Sequence, residues 1–188
     1  MKNESGLFLI LLLSLTSFTA FSQDSKRQEA ENKIGNKNAT SLCSNNEIDL
    51  FSCLTESKIA SICLAENTSE RSVQYRLGTI NKTELKYPDS PKNSINKFTL
   101  SSTPYPGGGE NRIKFSIGKY EYLVYDMTIR EGTTEESYPI FQSGVLVRKG
   151  GDTLTVLPCT NEDMSIKSQA FEIFDIEEFD RSISTKKQ

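Results

Sequence analysis

Histidine is absent from the 188 residues. With it go the usual general base, the commonest neutral metal ligand and the side chain that titrates near neutral pH. Ser-His-Asp and Cys-His catalysis, histidine-built zinc sites and histidine pH switches are therefore excluded. The remaining chemistry must come from cysteines, carboxylates and a few loops. Cys43, Cys53, Cys63 and Cys159 stand 10, 10 and 96 residues apart, with no C-x-x-C pair, which leaves out the common redox and zinc patterns. An even cysteine count in an exported chain reads as two disulfides. A hairpin turning near Ser57-Lys58 sets Cys53 opposite Cys63 and leaves Cys43 with Cys159. Cys53 with Cys159 and Cys43 with Cys63 is the open alternative.

Two loops are candidates for binding. Tyr105-Pro106-Gly107-Gly108-Gly109-Glu110 is the most unusual stretch: three successive glycines sample positive φ freely and can bring backbone N–H groups to an anion. It has neither Gly-Lys-Ser/Thr nor G-x-G-x-x-G, so it is no standard phosphate loop. It reads as a mobile connection between strands or as a binding loop with Tyr105 as a rigid aromatic anchor. The second loop, residues 130–138, is acidic and ends in Tyr138, a solvated connection or a second binding loop. Its Glu135 and Glu136 are adjacent, whereas glycoside hydrolysis needs two carboxyls about 5–9 Å apart across a cleft. No catalytic residue, cofactor or metal ligand is expected, and the chain reads as a non-enzyme.

These loops need a scaffold, and the apolar spacing supplies one. Short runs of β-branched and aromatic residues at 48–54, 58–64, 71–77, 83–87, 97–101, 111–117, 120–129, 144–149 and 153–158 predict strands. Their turn-punctuated spacing predicts an all-β fold, a small antiparallel barrel or sandwich of about eight or nine strands. Gly150-Gly151 suits a two-residue turn that pairs Lys149 with Asp152, Val147 with Leu154 and Val145 with Val156. Gly118-Lys119 turns a second hairpin, placing Ile117 opposite Tyr120, Phe115 opposite Tyr122 and Ile113 opposite Val124. The other face of that ribbon holds Arg112, Lys114, Ser116 and Glu121, with Leu123 and Tyr125 making it partly apolar. Residues 168–183 carry Phe171, Phe174, Ile173, Ile176 and Phe179 among five acids, predicting an acidic amphipathic helix, with a strand for part of it as the alternative that the β-branched and Phe content offers.

The chain opens with a polar start, an apolar run at 7–15 and small residues at 16–22, with Ala20 and Ser22 placed for a cut before Gln23. This is the plan of a signal peptide; its apolar run is shorter than the roughly 20 residues of a membrane span. Residues 23–41 are polar and hold a single Ile, so they predict a disordered leader. A disulfide-tied β domain at 42–160 and an acidic C-terminal segment at 161–188 follow. The net charge is −3, from 22 Lys plus Arg against 25 Asp plus Glu, which argues against a nucleic-acid binder. The expected location is periplasmic or secreted, with no integral membrane span after signal cleavage.

Asp49-Leu50-Phe51-Ser52-Cys53, Ser61-Ile62-Cys63, Val73-Gln74-Tyr75-Arg76-Leu77-Gly78, Glu84-Leu85-Lys86-Tyr87-Pro88 and Gly107-Gly108-Gly109-Glu110 together resemble a group of uncharacterised exported bacterial β-proteins. More faintly, Phe51-Ser52-Cys53, Cys159 and the segment Phe115-Ser116-Ile117-Gly118-Lys119-Tyr120-Glu121-Tyr122 are similar to the bacterial inhibitors of C-type lysozyme. That resemblance implies a disulfide-tied barrel with loops that enter a cationic enzyme's cleft. The expected function is an exported binding module, with a cationic protein such as a lysozyme as one partner. The alternative is a structural or stress-related envelope protein without a discrete ligand.

Overall fold

The computed structural model describes residues 40–66, 71–133, 136–161 and 164–185. The expected signal segment (1–22) and nearly all of the polar leader (23–41) lie outside them. Among the described residues, β1 (Glu47–Leu54), β2 (Ile59–Ala65), β3 (Ser72–Thr79) and β4 (Lys82–Tyr87) form a four-stranded meander. A second sheet holds β5 (Thr99–Tyr105), β6 (Gly108–Ile117), β7 (Tyr120–Gly132), β8 (Ser137–Lys149), β9 (Asp152–Pro158) and the two-residue β10 (Asp175–Ile176). Its order is β10-β5-β6-β7-β8-β9. Pairing is antiparallel throughout except for β10 on β5. The sheets do not close on each other, so the predicted all-β fold is an open sandwich with one short helix, α1 (Ser168–Ile173).

Strand alternation builds the main core between the sheets. Phe51, Ile62, Val73 and Tyr75 from the first sheet meet Leu100, Ile113, Phe115, Val124 and Val145 from the second. Each such side chain contributes roughly 1.5–3 kcal/mol on burial. Phe115 anchors the aromatic part, 4.8 Å from Tyr75 and stacked on Tyr122 at 5.1 Å. β2 (IASICLA) is buried along almost its whole length, because the chain before β1 covers its outer face. Leu42 N–H donates to Ser61 Oγ at 2.9 Å, Arg76 donates to Leu42 O, and Arg76 forms a two-pronged pair with Glu47 at 2.7 Å on each arm.

The hairpin at Gly118-Lys119 has the predicted register, with Ile117 on Tyr120, Phe115 on Tyr122 and Ile113 on Val124. The hairpin at Gly150-Gly151 does not. Lys149 pairs with Asp152 as expected, but a bulge between Val147 and Arg148 moves Val147 onto Thr155, Leu146 onto Val156 and Val145 onto Leu157. The extra residue leaves Leu154 exposed, where strict alternation had placed it opposite Val147.

The structure decides between the two disulfide pairings that the cysteine spacing leaves open. The bridges are Cys43–Cys63 and Cys53–Cys159, each with Cα atoms 5.3 Å apart, not the Cys53–Cys63 and Cys43–Cys159 set. The first hairpin closes where Thr55 N–H donates to Lys58 O, with Leu54 opposite Ile59. Cys53 therefore faces Ala60, and a bulge between Asp49 and Phe51 sets Cys63 beside Asp49. One bridge pins the segment before β1 to β2. The other ties β1 to the chain leaving β9, joining the two sheets.

The C-terminal segment differs from a single helix. α1 ends at Ile173, and Phe174 packs into the core 5.7 Å from Phe98. β10 then pairs with β5, with Glu177 N–H donating to Leu100 O. Residues 177–185 cross the outer face of the six-stranded sheet, where Ile183 packs on Leu123, Tyr125, Met127 and Leu146. The strap thus covers the second face of this sheet, which explains why Leu123 and Tyr125 share that face with Arg112.

Candidate functional site

Pro106 and Gly107 make the tight turn between β5 and β6; Gly107 has φ of 81°, suiting the third position of a type II turn after proline. Gly108 has no room for a side chain, since an added Cβ would fall 1.9 Å from Thr128 O. The glycine stretch is therefore a hairpin with Tyr105 opposite Gly108, Pro104 opposite Gly109 and Thr103 opposite Glu110. The β7–β8 hairpin turns at the same end of the sheet, and the space beside Gly107 is filled by the Arg130 side chain.

Glu110, expected as a loop residue, is buried on β6. Its Oε1 accepts from Arg112 Nε at 2.7 Å and from Thr185 Oγ1 at 2.7 Å, and its Oε2 accepts from Tyr105 OH at 2.5 Å. Arg112 is buried as well; it donates to the carbonyls of Asp180 and Ile183 at 2.8 Å and lies 4.0 Å over the Phe179 ring. Burial, and then the Glu110 carboxylate that accepts the hydrogen bond of its hydroxyl, push Tyr105 up to about 12. Burial and Glu110 push Tyr125 up to about 12 as well.

Above this buried pair lies a cleft of about 470 Å³ lined by Tyr105, Pro106, Ile129, Arg130, Phe179 and Arg181, among others. Arg130 donates to Ser137 O and Oγ, at 3.3 and 3.0 Å, and Arg181 donates to Thr103 Oγ1 at 3.0 Å. Both arginines are exposed. Tyr105 and Gly107 to Glu110 are thus brought together with the base of the second hairpin. Tyr138, 56 % exposed, and Glu136, whose N–H donates to Thr133 Oγ1, stand further out on that hairpin; Glu135 lies outside the described residues.

Compared with family models, curated proteins and solved structures, the chain finds no match in any of the three. Function must therefore be argued from this geometry. All four cysteines are bridged, the mark of an oxidising, extracytoplasmic environment. Among the described residues no group of three or more acids or cysteines is placed to hold a metal ion, and no helix is long and apolar enough to cross a membrane.

Sequence reasoning placed Arg112 on the mixed polar and apolar face of the hairpin ribbon and did not single out Arg130, Phe179, Arg181 or Thr185. One signal was present: Leu123 and Tyr125 share a face with Arg112, and an apolar stripe among polar residues calls for a cover. What covers it could not be read from local spacing.

Proposed function

We propose that the protein is an exported, non-enzymatic binding module that takes its ligand in the cleft between the β5–β6 turn, the base of the β7–β8 hairpin and the C-terminal strap. The observation that carries this reading is a cleft of about 470 Å³, within the size range of small-molecule sites, in which Arg130 and Arg181 are exposed and have no carboxylate partner among the described residues. Glu110 is engaged by three donors, which suits an anchoring role and not proton transfer. Export is supported by the two disulfides and by the signal-like start of the chain; N-terminal sequencing of material recovered outside the cytoplasm is expected to begin at Gln23. NMR titration with a small-molecule library of mixed charge is expected to shift Tyr105, Ile129 and Phe179, and to leave them unmoved in Ser184→Trp, which fills the cleft. Shifts confined to other surfaces would overturn the reading.

A second reading keeps a cationic protein as partner, because Glu131, Glu136 and Tyr138 are all exposed on the β7–β8 hairpin. Inhibition of a C-type lysozyme that is lost in Glu131→Gln/Glu136→Gln would favour it.

A further inference from the structure

The charge of the cleft runs against that of the chain. The whole protein is net negative, yet the cleft lining holds Arg112, Arg130 and Arg181 against Glu110 alone. Arg112 and Glu110 neutralise one another at 2.7 Å, and each nitrogen of the Arg112 guanidinium donates a hydrogen bond within the protein, to Glu110, Asp180 O and Ile183 O. Two positive charges remain. Arg130 engages Ser137 through Nη1 only, and Arg181 engages Thr103 through Nη2 only, so each keeps guanidinium donors for a ligand. Such forks match the planar or tetrahedral oxygens of carboxylates and phosphates. Pro106, Ile129 and the Phe179 ring supply apolar lining beside them.

Resting on the binding-module reading, we propose that the cleft takes a small dianionic compound. Its phosphate-monoester or paired-carboxylate head sits between Arg130 and Arg181, and its apolar body lies along Ile129, Pro106 and Phe179. The site is assembled only when residues 177–185 lie across the sheet, because Phe179 and Arg181 come from that strap.

Calorimetric and NMR titrations of the processed, disulfide-bonded protein with phenyl phosphate, phthalate, inorganic phosphate and benzamidine test this. Phenyl phosphate and phthalate are expected to saturate and to shift Tyr105 and Phe179, the better of the two identifying the head group; benzamidine, with the same ring and a positive charge, is expected not to bind. Arg130→Gln and Arg181→Gln should each weaken binding roughly tenfold, as the loss of a charge-assisted hydrogen bond implies. Both arginines are exposed, so the fold survives the changes, which a thermal melt checks. Undiminished binding in the double variant would overturn the proposal, and inorganic phosphate binding as tightly as phenyl phosphate would remove the apolar body from it. A neutral or cationic fragment seated at Phe179 would overturn the anion assignment while leaving the binding-module reading intact. A library in which nothing of any charge moves Tyr105, Ile129 or Phe179 would overturn both.

Discussion

Glu110 and Arg112 show how two residues on one strand face can hold a distant piece of chain. Their side chains are only 3 % and 2 % exposed, and a buried pair of this kind stabilises little relative to well-packed apolar residues, while losing one partner leaves an uncompensated charge. Arg112→Ala is therefore expected to cost about 3–5 kcal/mol, read as a lowered urea midpoint. Glu110→Leu combined with Arg112→Met should recover part of that loss, since no charge is then left buried. Asp126 is a second buried acid. It accepts Ile166 N–H at 2.6 Å and the Asn111 amide at 2.7 Å, but burial outweighs these bonds and raises it above its ordinary 3.8. The folded state thus holds this proton more tightly than the unfolded chain. The stability linked to it is fully present below about pH 4 and is lost as pH rises through the folded value. Melting temperatures across pH 3.5–7 should show wild type gaining on Asp126→Asn as the solution is acidified; a gap that widens in the alkaline direction would contradict the assignment.

At the scale of elements, the C-terminal strap is the least predictable part and the one that completes the cleft. The Phe and Ile spacing predicts an acidic amphipathic helix over 168–183 with a strand for part of it as the alternative; only Ser168–Ile173 is helical and Asp175–Ile176 is strand. Phe174 turns into the main core, and the chain beyond it gains more by covering Leu123, Tyr125, Met127 and Leu146 than by continuing one turn at a time. Ile183→Ala should therefore cost about 2–4 kcal/mol, as for a buried Ile reduced to Ala, with faster amide exchange in β6 and β7 measured by hydrogen–deuterium exchange. A loss confined to the last residues, without change in β6 or β7, would mean that the strap is not part of the folded unit. The paired hairpins make a complementary point. Gly118-Lys119 gave the right register because the strands it joins are regular; Gly150-Gly151 gave the right turn but the wrong pairs beyond it, because a bulge breaks the two-residue period that register arguments assume.

For the whole molecule, the two disulfides act over different lengths of chain. Cys43–Cys63 spans 20 residues and Cys53–Cys159 spans 106, and in the chain-entropy picture the longer loop restricts the unfolded state more, about 4.7 against 3 kcal/mol. Replacing Cys53 and Cys159 by alanine is accordingly expected to lower the denaturant midpoint more than replacing Cys43 and Cys63, and a non-reducing peptide map should return these two pairs. By itself the sequence determined the class of fold, part of each of nine strands, two hairpin turns and the presence of two bridges, because alternation, turn chemistry and cysteine parity are local or countable; it placed β5 too early and read the first half of β8 as loop. It did not determine which cysteines meet, where the bulges fall, that Arg112 is buried, or that Arg130 and Arg181 share a cleft with Tyr105. Those depend on which surface each segment covers once the sheets have packed, and that choice is made by contacts between residues far apart in the chain, such as Arg112 with Asp180 O and Ile183 O at separations of 68 and 71 and Thr185 with Glu110 at 75.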